Sequence, residues 1–114
     1  MLKTNLTHVI SEKDHSELLT SNENVMICCG RMGPMCIPVY EVMEELEGEY
    51  KNIKFADMEF DSPDAKIIRN LPECRSFQGL PFVVYYKNGQ VVKATSSIQS
   101  RDQITLILDE QFSK

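Results

Sequence analysis

Short apolar runs separated by amphipathic segments make up the first half of the chain. Runs at Thr7–Ile10, Asn24–Cys29 and Ile53–Phe60 are too short for helices and predict three strands. The middle run is almost continuously apolar and is bounded by Gly30, which is typical of a central strand buried on both faces. The pattern therefore predicts strands that alternate with helices.

Helix start signals stand at three points between and after these strands. Ser11 with Asp14 resembles a capping box, and Ser62–Pro63 supplies an N-cap and a first-turn proline. Ser100 with Gln103 caps a final helix. The apolar positions of these three helices are Leu18 and Leu19, then Ile67, Ile68 and Leu71, then Ile104, Ile107, Leu108 and Phe112.

An amphipathic helix with an acidic outer face is predicted after Gly33–Pro34. Because Pro38 is best tolerated in the first turn, the helix is expected to begin near Met35. This places Cys36 at its N-terminal end. The apolar positions recur at intervals of four, three and four, at Val39, Met43, Leu46 and Tyr50.

A β-hairpin is predicted near the C-terminus. The β-rich runs Phe82–Tyr86 and Gln90–Thr95 flank the turn Lys87–Gly89, where the Asn-Gly pair favours positive φ. These last two strands are therefore antiparallel. The complete order is βαβαβα followed by ββα, which defines an α/β fold.

Composition and charge narrow the class of protein. The chain has 114 residues, 42% hydrophobic and 25% charged, which predicts a single domain over residues 1–114. Its formal net charge of -5 lacks the basic excess that nucleic-acid binding needs. The segment up to Glu23 has no apolar run long enough for a signal peptide or a membrane span. We therefore expect a cytoplasmic protein that binds neither nucleic acid nor membrane.

Four cysteines stand at positions 28, 29, 36 and 74. A reducing cytosol keeps structural disulfides open, so any chemistry of these thiols is expected to be redox or nucleophilic. The only close pair is vicinal, and neighbouring residues of a strand point to opposite faces, which disfavours a zinc site. We expect no metal and no cofactor.

The element order, with a Gly-Pro helix start after the second strand and a proline before the fourth, resembles the thioredoxin fold over nearly the whole chain. Lys87–Val91 resembles the family's turn between strands four and five, Gly79–Pro81 its cis-proline loop, and Gln103–Phe112 its closing helix. The resemblance implies a thioredoxin-like fold, a central mixed five-stranded sheet flanked by four helices, with strand order 1-3-2-4-5. It also implies a cis bond before Pro81 and a groove that receives an extended peptide. The alternative is a trans proline that opens an edge strand.

The dithiol motif of that family does not match this chain. Thioredoxins attack disulfides with two cysteines separated by two residues and preceded by tryptophan, whereas the loop here is Gly30–Cys36 and the chain has no Trp. If the Gly-Pro of the loop is matched to the family's Gly-Pro, Met32 and Met35 replace both cysteines. If the length of the following helix is preserved instead, Cys36 takes the second position and Gly33 the first.

Two supporting groups of the family also lack counterparts. The buried aspartate of the second strand falls at Met26 or Ile27, and the lysine that accompanies it falls at Asp57. The segment Leu71–Ser76, before the cis-proline loop, is longer than in an ordinary thioredoxin. The resemblance therefore implies the fold and the groove without the usual acid–base groups.

Cys36 is the strongest candidate for a reactive thiol, since a helix N-terminus favours an anion and so a thiolate. Cys29 is the best placed partner, which gives the hypothesis of a C-x6-C disulfide between Cys29 and Cys36. Cys74 is a second candidate partner if the longer segment folds over the loop. Two alternatives stay open. Cys36 acts as a single thiol, or Cys28 and Cys29 are small buried hydrophobes, Cys74 lies at the surface and no cysteine has a redox role.

Two functions are compatible with these residues. In the first, an atypical thiol–disulfide oxidoreductase acts on protein thiols or disulfides through the catalytic residues Cys36 and Cys29. In the second, a redox-inactive thioredoxin-fold module binds a protein partner through the same groove. The residues expected to contact the substrate or partner are Pro81, Leu80, Met32, Gly33, Pro34 and Met35.

Overall fold

The centre of the protein is a five-stranded mixed sheet, in a computed structural model that describes residues 2–76 and 78–112. The strands are β1 (Thr7–Val9), β2 (Asn24–Gly30), β3 (Lys54–Glu59), β4 (Phe82–Lys87) and β5 (Gln90–Ser96). They lie in the order β1-β3-β2-β4-β5, as the resemblance implied. The first three strands are parallel, whereas β4 runs antiparallel to both β2 and β5.

Four α-helices pack on the sheet. They are α1 (Glu12–Ser21), α2 (Ile37–Glu47), α3 (Lys66–Arg69) and α4 (Arg101–Phe112). Two 3₁₀ helices, Pro63–Ala65 and Pro72–Ser76, flank α3. The predicted α/β fold with five strands and four helices is confirmed. No helix in the described part of the chain is both long and apolar enough to cross a lipid bilayer.

The capping and turn signals of the sequence make the expected local contacts. Ser11 Oγ accepts a hydrogen bond from the Asp14 N–H at 3.0 Å and closes the first turn of α1. Before α4, the Ser100 N–H donates to Gln103 Oε1 at 2.8 Å, and Ser100 Oγ accepts from the Gln103 N–H at 3.2 Å. The Asn88–Gly89 turn has positive φ at both residues, as a tight hairpin requires.

Two helices begin or extend differently from the prediction. The first residue of α2 is Ile37 instead of Met35, because the Cys36 and Ile37 N–H groups both donate to the Gly33 carbonyl and form a separate turn. Only Lys66–Arg69 are α-helical in the third helix, since the preceding turn winds as the tighter 3₁₀ form.

Side chains of β2 alternate between two apolar clusters, one on each face of the sheet. One face, toward α2 and α4, carries Met26 and Cys28. The other, toward α1 and α3, carries Ile27 and Cys29. These are called the α2 face and the α1 face below.

Candidate functional site

An apolar pocket of about 360 Å³ lies at the N-terminal end of α2. Its walls come from the loop after β2, from the residue that follows β3, and from the loop before β4. The Leu80–Pro81 peptide bond in that last loop is cis. The lining residues are Arg31, Gly33, Pro34, Met35, Cys36, Phe60, Gly79 and Leu80.

Cys36 is the only cysteine among the lining residues of this pocket. It is the N-cap residue of α2, and it is only 3% exposed. The Arg31 N–H donates to Cys36 Sγ at 3.4 Å. A backbone donor therefore contacts the sulfur at the start of the helix.

Gly30 makes the space that this sulfur occupies. A Cβ placed on Gly30 would lie 2.8 Å from Cys36 Sγ and 2.7 Å from the Tyr40 hydroxyl oxygen. These separations are far below van der Waals contact, so any other residue at position 30 would displace the thiol. The glycine that ends β2 is therefore part of the site.

Tyr40 fixes the loop after β2 through a side-chain hydrogen bond, a role that the sequence did not suggest. It is a buried residue of α2, and its hydroxyl donates to the Arg31 carbonyl at 3.1 Å. Burial, followed by the nearby Cys28 and Cys36 thiols, raises the pKa of Tyr40, so the hydroxyl stays a neutral donor. Hydrogen bonds thus hold the backbone of Arg31 at both its N–H and its carbonyl group.

The side chain of Arg31 fixes the rim of the pocket. Its guanidinium makes two hydrogen bonds to the Asp61 carboxylate, at 2.8 and 2.9 Å. It also lies 5.7 Å from the centre of the Phe60 ring, which is another pocket wall. No sequence motif indicated that Arg31 or Phe60 belongs to the site, because both line the pocket only through tertiary contacts.

The two predicted methionines are exposed, Met32 by 43% and Met35 by 47%. Met35 lines the pocket, whereas Met32 is not one of its lining residues and its sulfur accepts from the Lys3 N–H at 3.4 Å. On the opposite wall, the Ser97 N–H donates to the Gly79 carbonyl at 3.0 Å. Of the six predicted contact residues, four line this pocket, namely Gly33, Pro34, Met35 and Leu80, whereas Met32 and Pro81 are not among its lining residues.

The four cysteines are divided between the two faces of the sheet, and all are free and buried. Cys28 and Cys36 pack in the cluster of the α2 face, whereas Cys29 and Cys74 pack in the cluster of the α1 face. The predicted Cys29 and Cys36 pair is therefore not brought together, because alternation along β2 turns Cys29 away from the pocket. Cys74 is buried, whereas one sequence alternative placed it at the surface.

Asp57 adds a buried carboxyl group to the α2 face. It is the register partner of Cys28, and burial raises its pKa. Thr4 Oγ1 donates to one carboxylate oxygen and His8 Nδ1 lies 2.7 Å from the other, and both contacts oppose that shift. The sequence signal was an aspartate within the otherwise apolar stretch Phe55–Met58. Within the described residues, no group of His, Cys, Asp and Glu side chains could hold a metal ion.

Solved thioredoxin structures resemble this chain over almost its full length. The structure of Plasmodium falciparum thioredoxin gives a TM-score of 0.77 at 18% identity, covering 93% of this chain and 99% of that one. An Entamoeba histolytica thioredoxin variant gives 0.74 at 21% identity, covering 92% and 98%. Mitochondrial thioredoxin 3 from Saccharomyces cerevisiae gives 0.73 at 16% identity, covering 92% and 94%.

These likenesses show that the chain has a thioredoxin-like fold. A scan against protein-family models and a search of curated proteins gave no match. The function therefore has to be argued from the site itself.

Proposed function

We propose that this protein is an atypical thiol–disulfide oxidoreductase that acts on protein thiols or disulfides through Cys36. One observation carries the proposal. Cys36 Sγ, hydrogen-bonded by the Arg31 N–H at the start of α2, shares a pocket with Leu80, the residue before Pro81. A nucleophile and a peptide-binding loop are thus next to each other.

The proposed reaction is thiol–disulfide exchange. The Cys36 thiolate attacks one sulfur of a substrate disulfide, so that a mixed disulfide with Cys36 forms and the other substrate sulfur leaves as a thiolate. That leaving group takes up the proton that the Cys36 thiol released. An external thiol then attacks Cys36 Sγ in the mixed disulfide, so that the substrate leaves as its dithiol and Cys36 is joined to the attacking thiol. A further external thiol attacks the sulfur of the first one and releases the Cys36 thiolate, and the two external thiols, which supply the two electrons, end as a disulfide.

An external thiol is the second thiol that the geometry favours. Cys29 faces the α1 cluster, so it could attack Cys36 only if the end of β2 left the sheet. Cys28 shares the α2 face with Cys36, but it is fully buried and burial raises its pKa well above the ordinary value. We therefore assign Cys36 a single-thiol mechanism in which two small thiols, or the two thiols of a protein, complete the cycle.

The pocket supports binding of an extended segment with an apolar side chain beside its cysteine. Leu80, Phe60 and Met35 supply apolar walls, and methionine adapts its shape to different side chains. The loop that contains Pro81 lies at the edge of this pocket and is the expected contact for the segment's backbone.

A second function, a redox-inactive binding module, is favoured by the burial of the sulfur. Cys36 is only 3% exposed, so a disulfide could reach it only after the pocket opens. In this case the pocket binds its partner without exchange, and binding is insensitive to reductant.

Mixed-disulfide trapping separates the two functions. The protein is incubated with a peptide that carries an apolar residue next to a cysteine blocked by a chromophoric thiol. We expect one equivalent of chromophore to be released and the peptide to be found on Cys36 by mass spectrometry. Cys36→Ala is expected to abolish the release, whereas Cys28→Ala, which removes a buried thiol on the same face, retains it. Release that survives in Cys36→Ala would contradict the oxidoreductase proposal.

Binding is tested with the same peptide carrying Ser in place of Cys. Leu80→Asp or Met35→Asp places a charge in the apolar pocket and is expected to weaken binding at least tenfold. The control is Leu106→Asp, since Leu106 is an exposed apolar residue of α4 that does not line the pocket. Binding that is equally weakened by all three changes would argue against the pocket as the site for either function.

A further inference from the structure

The methionines of this chain form two groups that differ in exposure. The chain has six methionines, and the one at position 1 lies outside the described residues. Met26, Met43 and Met58 are 0% exposed and pack in the apolar clusters of the two faces. Met32 and Met35, in the loop between β2 and α2, are 43% and 47% exposed. Among the described methionines, therefore, these two can be reached from solvent.

The two exposed thioethers have different surroundings. Met35 is one of the residues that line the pocket. Met32 is not a lining residue, and its sulfur accepts a hydrogen bond from the Lys3 N–H at 3.4 Å. That hydrogen bond occupies a lone pair of the sulfur, and the lone pairs are what an oxidant removes electrons from. Met32 is therefore expected to be the less nucleophilic of the two.

We propose that Met35 is a site of oxidation by hydrogen peroxide, with Met32 as a slower second site. The step is an oxygen transfer. The thioether sulfur attacks one peroxide oxygen, a sulfur–oxygen bond forms as the oxygen–oxygen bond breaks, and the other oxygen leaves as water with both peroxide protons. The sulfur loses two electrons and becomes a sulfoxide, and the peroxide gains the same two electrons.

The pocket thiol differs from Met35 in access and in its dependence on pH. Cys36 lines the same pocket but is only 3% exposed. A thiol is oxidised through its thiolate, so its rate rises with pH, whereas a thioether has no proton to lose. We therefore expect Met35 to be oxidised at the same rate at about pH 5 and about pH 8.

Oxidation of Met35 changes the chemistry of the pocket. A sulfoxide places a polar S=O group where the reduced side chain has a flexible apolar sulfur. Leu80 and Phe60 are apolar walls of the same pocket, and a polar group buried against such walls without a hydrogen bond is unfavourable. We expect the affinity for an apolar peptide to fall several-fold. This consequence rests on the function proposed above, whereas the oxidation itself does not.

The test is a titration of the full chain with hydrogen peroxide, followed by trypsin digestion and mass spectrometry. One tryptic peptide, Met32–Lys51, contains both loop methionines together with Cys36 and Met43. Fragmentation of this peptide places each added oxygen on one residue, and the buried Met43 serves as an internal reference. The titration is repeated in Cys36→Ala, where every added oxygen of this peptide belongs to a methionine.

The three methionines of this peptide should react in a fixed order. Met35 is expected to gain an oxygen first, Met32 more slowly, and Met43 at least tenfold more slowly than Met35. Oxidation of Met43 as fast as Met35 would overturn the proposal, since the two groups would not differ in access. Faster oxidation of Met32 than of Met35 would overturn the choice of Met35 as the main site.

Binding of the Ser-containing peptide described above is measured before and after peroxide treatment. Affinity is expected to fall several-fold in the unaltered chain and to recover after treatment with the two methionine sulfoxide reductases that act on the two epimers. Met35→Leu keeps an apolar side chain and should be insensitive to peroxide, whereas the matched control Met32→Leu should lose as much affinity as the unaltered chain.

The two variants also show how the consequence could fail. Equal losses in Met35→Leu and Met32→Leu would contradict a role for the Met35 sulfoxide in the pocket. A peptide that binds neither the reduced nor the oxidised protein would contradict the function proposed above. In that case the positions of the added oxygens in the tryptic peptide still decide whether Met35 is the site of oxidation.

Discussion

The two faces of the sheet place the same residue types in different chemical environments. Cys28 and Cys29 are adjacent in β2, but Cys28 packs in the cluster that contains Tyr40 whereas Cys29 packs in the cluster that contains Cys74. The vicinal pair is thus divided between two chemical environments. Proximity in the sequence says nothing about which thiols can react with each other.

Tyr85 and Tyr86 on β4 repeat this division. Tyr85 points into the α2 cluster, where no hydrogen-bond partner for its hydroxyl is found among the described residues. Tyr86 points into the α1 cluster, where its hydroxyl lies 3.0 Å from His15 Nε2. The hydrogen bonds described above for the α2 face lie around Arg31, Tyr40 and Cys36 at the pocket and around Asp57 beside β1, and the Tyr85 hydroxyl takes part in none of them.

The largest effect is expected from filling the space at the end of β2. Gly30→Ala puts a Cβ within 3 Å of both Cys36 Sγ and the Tyr40 hydroxyl, and overpacking of this kind costs about 2–3 kcal/mol. Gly33→Ala is the matched control, since its Cβ would meet nothing within 4 Å. Urea unfolding of both variants measures the difference.

A double variant sharpens this prediction. Tyr40→Phe removes one of the two atoms that the new Cβ meets, so Gly30→Ala should be less destabilising in that background than in the original chain. Strict additivity of the two changes would show that the clash is with Cys36 alone. Equal losses for Gly30→Ala and Gly33→Ala would show that the sulfur does not occupy this space.

The sequence was sufficient for the fold but only in part for the site. The order of elements along the chain and the hairpin follow from local signals, namely apolar runs, caps and the Asn-Gly turn, whereas the strand order followed from the resemblance to the thioredoxin fold. The position of Cys36 at the start of α2 also follows from local signals, with Pro38 as the marker. The choice of partner for each thiol does not, because it depends on which face of β2 each residue occupies and on where a distant 3₁₀ helix packs.

The next largest difference in unfolding free energy is expected between the phenylalanine variants of the adjacent residues Tyr85 and Tyr86. Tyr86→Phe leaves His15 without its buried partner and should cost about 1–2 kcal/mol, whereas Tyr85→Phe removes a buried hydroxyl that lacks a partner and should be neutral or stabilising. Urea unfolding at pH 7.5 measures both. If the two variants lose the same stability, the faces do not differ in the way described.

The two faces are also expected to respond to acid with opposite signs. Burial lowers the pKa of His15 from 6.5, so the unfolded chain takes up a proton first and stability falls as the pH drops through 6.5. Burial raises the pKa of Asp57 from 3.8, so the folded protein takes up a proton first and stability is gained as the pH drops through that raised value. Each contribution is limited to about 1.4 kcal/mol per pH unit.

Two variants isolate these contributions. His15→Gln should flatten the dependence of unfolding free energy on pH between 7.5 and 5.5, and Asp57→Asn should remove the gain at lower pH. The comparison is with the unaltered chain at each pH, so that other titrating groups cancel. A steeper pH dependence in His15→Gln would mean that the folded protein favours the charged imidazole.

The smallest effect on stability is expected from breaking the ion pair between Arg31 and Asp61, although this change should alter the alkylation rate of the Cys36 thiol. Arg31 and Asp61 are both more than half exposed, so Asp61→Asn should leave the urea midpoint almost unchanged. The backbone of Arg31, however, donates to Cys36 Sγ and accepts from Tyr40, so releasing its side chain loosens the loop over the sulfur. Alkylation of Cys36 at constant pH and in 0.1 M salt should become a few-fold faster.

The control on the α1 face is Glu12→Gln, which breaks the longer contact of 3.4 Å to Lys66 and should alter neither stability nor alkylation. An equal change in both variants would trace the effect to net charge, because the two substitutions remove the same charge at different places.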